Sequence, residues 1–232
     1  MLAAALILCL RQEPTVLEKA IEDSATALNA LPSVNCAYTM ESEGGGFDST
    51  EISFEYWKDG IKERIDCMSN GNLLIKSVHT EGHTTVLYPA RKVYWQVDRP
   101  ESANKPQKPK PLELNSLDVS FMVSKGMTLR LRSNPPFRFL SESVEKREGG
   151  DVRLIHFEAT KETGTGSVKG VAEFDAGGGL FIGANLEMFG EKPGKLRIKR
   201  QKLEKGVPAA ALFVVEAKEF EGLQKVDPPE QF

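Results

Sequence analysis

From residue 33 onward the chain alternates apolar and polar side chains over one short run after another, with tight glycine turns between the runs. Val34, Cys36, Tyr38 and Met40 alternate with Asn35, Ala37, Thr39 and Glu41, and Ile52, Phe54 and Tyr56 continue the pattern. Neighbouring side chains of a strand point to opposite faces, so such runs build an antiparallel sheet with one apolar face that must be covered or filled. Six strands are expected over 33–42, 50–58, 61–68, 73–80, 84–88 and 92–98. A second series follows at 127–132, 139–146, 152–160, 168–175, 180–189, 195–205 and 211–220. Lys58-Asp59-Gly60, Gly149-Gly150 and Gly177-Gly178-Gly179 are among the turns that punctuate them.

A helix precedes the strands. Leu17, Ala20, Ile21, Ser24, Leu28 and Leu31 recur at three- and four-residue spacing, giving one apolar stripe between Pro14 and Pro32. A second, short helix is expected from Leu114, Leu117, Phe121 and Met122, ending at Gly126. Residues 99–112 are proline-rich and carry no apolar period, so they read as a loop. The fold class is mainly β with α: one large antiparallel sheet of about a dozen strands, with the helices packed into its curve. Six strands alone would leave an exposed edge ladder, which argues for one domain over 13–222 rather than two halves split near residue 105. Residues 1–12 read as a signal-peptide remnant or N-terminal arm, and 223–232 as a loose tail.

A formal net charge of −3 argues against a nucleic-acid partner. Lys195, Arg197, Lys199, Arg200, Lys202 and Lys205 do form a basic run, which alternation places mostly on the solvent side. The opening MLAAALILCL is too short to span a bilayer but fits the apolar core of an export signal. Cys36 and Cys67 fall on the apolar parity of strands one and three. With the turn at Asp59-Gly60, Cys67 is expected opposite Ile52. The cysteines would then stand about 9–10 Å apart, beyond the ~7 Å reach of a disulfide, so two buried free thiols are expected.

Chemistry-bearing motifs are sparse. His79 and His83 have metal-ligand spacing only on a helix, and Glu81-Gly82 between them reads as a turn. His156 has no cysteine partner nearby, and Gly164-Thr165-Gly166-Ser167 lacks the following helix of a phosphate loop. No G-x-S-x-G elbow is present. No catalytic residue, metal ligand or cofactor is therefore assigned. The aromatics carry more: Phe54, Tyr56, Tyr88, Trp95, Phe157, Phe174 and Phe213 fall on or near the apolar parity of separate strands. So much apolar sheet under so little helix leaves room for a lined cavity.

The order of helix, long meander and interrupting helix resembles the LolA/LolB-like superfamily of bacterial envelope lipoprotein carriers. Leu28-Asn29-Ala30-Leu31 running to Tyr38 is similar to the family's entry into its first strand, and Lys62-Glu63-Arg64-Ile65 to a strand in which an arginine follows a turn. Glu81-Gly82-His83-Thr84-Thr85-Val86-Leu87-Tyr88-Pro89 with Lys92-Val93-Tyr94 resembles a family hairpin, and Gly206-Val207-Pro208 to Leu212-Phe213 a late stretch. The resemblance implies an incomplete barrel over an apolar cavity, helices as a lid, acyl chains inside, and no catalysis or cofactor. It also implies an inward arginine tying sheet to lid. Arg64 is the matching position, although alternation turns it away from Ile61, Ile65 and Cys67.

The expected ligand-binding residues are Ile52, Phe54, Tyr56, Ile65, Val86, Tyr88, Trp95, Phe157 and Phe174 from the sheet, with Leu17, Ile21 and Leu28 from the helix. The function expected is non-enzymatic holding of a lipid or lipoprotein acyl chains by an exported, monomeric protein of the periplasm or envelope, peripheral at most to the membrane. A lipoprotein or other envelope protein is the expected partner. A sensor or interaction scaffold with a filled core is the competing expectation.

Overall fold

Thr15 starts the N-terminal helix with a reciprocal cap. Its hydroxyl accepts from the Glu18 backbone N–H at 3.2 Å, and the Glu18 carboxylate accepts from the Thr15 N–H at 2.9 Å. The helix, α1 (Val16–Ala30), stops just before Leu31-Pro32 and buries Leu17, Ala20, Ile21, Ser24 and Leu28. The computed structural model describes residues 15–44, 47–98, 137–160, 166–191 and 193–228, together with the backbone of 118–123 and 127–132. The expected leader and proline-rich loop lie outside the described residues, as do Leu114, Gly164 and Thr165.

The strands before the proline-rich stretch are β1 (Ser33–Gly44), β2 (Phe47–Asp59), β3 (Lys62–Ser69), β4 (Asn72–Thr80), β5 (His83–Tyr88) and β6 (Val93–Asp98). After it come β7 (Asp118–Val123), β8 (Met127–Arg132), β9 (Arg138–Arg147), β10 (Gly150–Thr160), β11 (Gly166–Asp175), β12 (Phe181–Gly190), β13 (Gly194–Glu204) and β14 (Gln224–Lys225). Twelve of them form one open sheet in the order β14-β6-β5-β4-β3-β2-β1-β13-β12-β11-β10-β9. The two meanders meet at a seam between β1 and β13, where Cys36 faces Leu203, Tyr38 faces Arg200 and Met40 faces Ile198. Mainly β, with a large curved antiparallel sheet and a helix on its inner face, the fold is of the class expected.

Three elements differ from the sequence reading. The short helix expected from Leu114 to Gly126 is a strand over its described residues, Asp118–Val123: β7 pairs with β8 in a separate hairpin, and β8 runs against α1. The strand expected over 211–220 is two 3-10 turns, Ala210–Phe213 and Ala217–Phe220. The tail is tied at its start, because Gln224 and Lys225 add a short parallel strand to β6.

The sheet is covered on both sides. On the inner face, Leu17, Ala20, Ile21 and Leu28 join Val34, Cys36, Tyr38, Tyr56, Ile65 and the inward residues of β10–β13 in one core. Ser24 ties the helix to the sheet, its hydroxyl accepting from the Phe181 N–H at 2.7 Å. On the outer face, Trp57 and Val78 pack under Phe213, Leu212 and Val215. Arg64 lies over the Trp57 ring at 4.9 Å and donates to the Leu212 carbonyl at 3.1 Å. Lys76 pairs with Glu219, and Tyr94 meets Phe220 edge to face. The C-terminal segment is thus a strap across β2–β6. The opposite edge, β9, is exposed along its length and flanked by ion pairs from Arg138, Arg147 and Arg153. Charges on an open edge discourage pairing with another chain.

Candidate ligand-binding face

Strand register assembles the candidate site from residues far apart in sequence. One row across the inner face runs Cys36, Tyr56, Ile65, Ser77, Val86 and Trp95. The next row runs Tyr38, Phe54, Cys67 and Ile75. Lys76 faces Leu87, which sets Ile75 beside Tyr88. Ile52 sits beyond, facing Met40. Phe54 faces Cys67 rather than Ile52, so the β2–β3 register is two residues off the expected one: the turn residues are Gly60, at φ +60°, and Ile61.

The expected ligand-binding residues divide into two groups. Leu17, Ile21, Leu28, Tyr56, Ile65, Phe157 and Phe174 belong to the continuous core built around α1. Val86 and Trp95 are buried on the same face, farther along the sheet. Ile52, Phe54 and Tyr88 are half-buried there. The helix therefore fills the half of the curve formed by β1 and β10–β13, while the β2–β6 half keeps a row of half-covered apolar side chains. Phe157 fits because Gly170 opposite it lacks a side chain: a Cβ there would stand 2.6 Å from the Phe157 ring.

For Arg64 the alternation reading holds, and the inward position that the resemblance implies does not. Arg64 does not point inward. It chelates Asp66 on the outer face, with Nε to Oδ1 at 2.9 Å, as its alternation with Ile65 requires. Phe213 also belongs to the outer core. Within the basic run, which alternation places mostly on the solvent side, Arg200 turns inward and is half-buried. It shares the parity of Leu196 and Ile198, and that was the signal available to find it. Its Nη1 donates to the Phe181 carbonyl at 3.0 Å, the same oxygen that accepts from the Tyr38 hydroxyl at 3.1 Å. The histidines go to separate partners: His79 Nδ1 lies 2.8 Å from the Thr84 hydroxyl, and His83 Nδ1 2.6 Å from Asp98.

The inner face is dry enough to shift its ionisable groups. Burial raises the Tyr38 phenol despite the opposing pull of Arg200. Burial raises Tyr56 too, helped by Glu63, whose carboxylate accepts from its hydroxyl at 3.1 Å. Cys36 and Cys67 are free and buried, as expected. Burial pushes Cys36 from 9.0 to about 12, against the pull of Arg200, and Cys67 from 9.0 to about 11. At pH 8, on the order of one Cys67 thiol in a thousand and one Cys36 thiol in ten thousand is then ionised. Ellman's reagent is expected to leave both thiols of a Cys9→Ser protein untouched until denaturant is added. Rapid labelling of the native protein would refute their burial. Because the unfolded thiols ionise first, this contribution to stability is complete below pH 9 and is lost as pH climbs toward 12.

A separate notch of about 390 Å³, open to solvent, lies at the tips of β1, β12 and β13 between Glu43, Glu187, Phe189 and Lys195, away from the residues expected to bind ligand. No helix among the described residues is long and apolar enough to cross a membrane.

No protein-family model matches the sequence, and neither does any curated protein. Several solved structures are similar to the chain. The Mycobacterium tuberculosis lipoprotein LppX is 11% identical with a TM-score of 0.37, over 82% of this chain and 96% of that one. MucB is 14% identical with a TM-score of 0.40, over 86% of this chain and 62% of that one. A third, 8% identical with a TM-score of 0.32 over 87% of this chain and 98% of that one, is a LolA superfamily protein from Nitrosomonas europaea, from the superfamily that the sequence resembles.

Proposed function

We propose that residues 13–222 act as one unit that holds a hydrophobic ligand, a lipid or the acyl chains of a lipoprotein, without chemistry, in a bacterial cell envelope. The observation that carries this reading is the β2–β6 half of the inner face. Ile52, Phe54 and Tyr88 stay half-buried there, next to a core that α1 has already filled. Apolar side chains held on a curved sheet without full cover suit a flexible chain better than a polar substrate. The sequence resemblance supports the same ligand class, and with it an exported monomer whose leader is a signal peptide. The scaffold reading draws on a different observation, the filled half around Leu17, Ile21 and Leu28.

Native mass spectrometry of protein purified from its host decides between them. Co-purified lipid that is lost on changing Phe54 and Tyr88 to Asp is the expected result. Protein that arrives free of lipid and takes up no fatty-acid probe would favour the scaffold.

A further inference from the structure

Arg200 stands out among the charged groups of the inner face. Lys195, Arg197 and Lys199 of the same strand are exposed, whereas Arg200 is half-buried and faces the buried Tyr38 across the β1–β13 seam. A β-bulge sits beside it: the register slips between Ala37 and Tyr38, so that Ala37 faces Lys202 and Tyr38 faces Arg200. Bulges recur where a strand has to re-aim side chains at a site. Other arginines with a buried or sheet-lying guanidinium are matched to carboxylates: Arg64 to Asp66, Arg147 to Glu173 and Arg153 to Glu142. Arg200 has the Phe181 carbonyl and the Tyr38 hydroxyl, and no carboxylate among the described residues. A half-buried guanidinium with five donors and two neutral acceptors, the Phe181 carbonyl and the Tyr38 hydroxyl, keeps donors to spare and has no opposite charge beside it among the described residues.

We infer that Arg200 is the anion-binding end of the ligand site and holds the carboxylate or phosphate head of an amphiphile. The inference rests on the proposed binding of a hydrophobic ligand and adds the class of that ligand. Arg200, Tyr38 and Phe54 are consecutive in one register row, so the backbones of Arg200 and of Phe54, the first half-buried apolar residue, stand about 10 Å, two inter-strand gaps, apart. Charge and apolar surface are thus arranged in the order of a single-chain amphiphile, head at the seam and chain toward β4 and β5. A planar guanidinium fork suits either carboxylate or phosphate oxygens.

Calorimetric titration with dodecanoate, dodecyl phosphate and dodecanol tests this on the whole protein. The two anions are expected to bind about ten- to a hundredfold tighter than the alcohol, the range of a charge-assisted hydrogen bond. In Arg200→Met the three should bind alike, and Arg200→Lys should restore part of the preference. Equal binding of acid and alcohol by the parent protein overturns the inference while leaving the hydrophobic site intact. If none of the three binds, the ligand reading itself falls. Inorganic phosphate that competes as well as dodecyl phosphate would make Arg200 a free-anion site and overturn the amphiphile assignment. Should Arg200→Met not fold, the acid-to-alcohol ratios of the parent and of Arg200→Lys decide the matter.

Discussion

Leu17→Asp is expected to remove most of the protein's stability, and Leu17→Ala to cost about 2–5 kcal/mol. Leu17 is 2% exposed and shares one core with Ile21, Leu28, Phe157 and Phe174. An ionised carboxylate at that position has no cation to pair with among the described residues of that core and loses its water. A domain of this kind has only about 5–15 kcal/mol to lose. Urea titrations followed by far-ultraviolet circular dichroism and by tryptophan fluorescence measure both variants. Coincident loss of both signals at much lower urea is the expected outcome. A midpoint within error of the parent would show that α1 is a detachable lid rather than part of the core. This test also bears on the proposed function: a helix that cannot leave would confine a ligand of the proposed class to the β2–β6 half of the face.

Phe213→Ala is expected to cost about 3–5 kcal/mol if the strap and sheet unfold together, and less if the strap peels away by itself. Phe213 is 5% exposed and is the buried side chain of the C-terminal segment in the cluster with Trp57 and Val78, with Leu212 and Val215 packed against it. Other ties include the Lys76–Glu219 pair, the Arg64 bond to the Leu212 carbonyl, the Tyr94–Phe220 ring contact and the two-residue pairing of β14. Burial alone would raise the Glu219 carboxyl, but the bonds from Lys76 and the Glu216 N–H and the charges of Lys76 and Arg64 together outweigh it and hold the group below the ordinary carboxylate value. Limited proteolysis separates the outcomes. Faster cleavage within 206–222 over an intact sheet signals a strap that detaches locally. Unchanged cleavage and unchanged thermal stability together would contradict the packing described for the outer face.

Most of the sheet was legible because alternation is a local signal, and each strand from 33 to 98 shows it. Register was not. Choosing Gly60-Ile61 instead of Asp59-Gly60 as the turn moves Cys67 from Ile52 to Phe54, and both choices keep the apolar parity. Val119, Phe121 and Val123 carry a two-residue period while Leu117 and Phe121 fit a helical one, and pairing with β8 decided between them. Leu212, Phe213 and Val215 looked like strand residues because they are apolar. They are apolar for another reason, since they cover the outer face instead of extending the sheet. Which apolar side chains share the inner face was readable from parity, but not which of them α1 covers and which stay half-buried. That division depends on where α1 lies, which no local pattern records.

The seam between β1 and β13 also sets an order in time. Ser24 and its partner Phe181 are 157 residues apart, and the Tyr38 bond to Phe181 spans 143. At about 5–20 residues per second of synthesis, the ribosome takes roughly 8–30 s to bring Phe181 out after Ser24. The β1–β6 hairpins form from neighbouring residues well within that interval. For its duration the apolar stripe of α1 and the β1 edge have no partner from the second meander. The state of this chain most exposed to aggregation is therefore the half-made one, and a chain stopped anywhere before β12 keeps that exposure permanently.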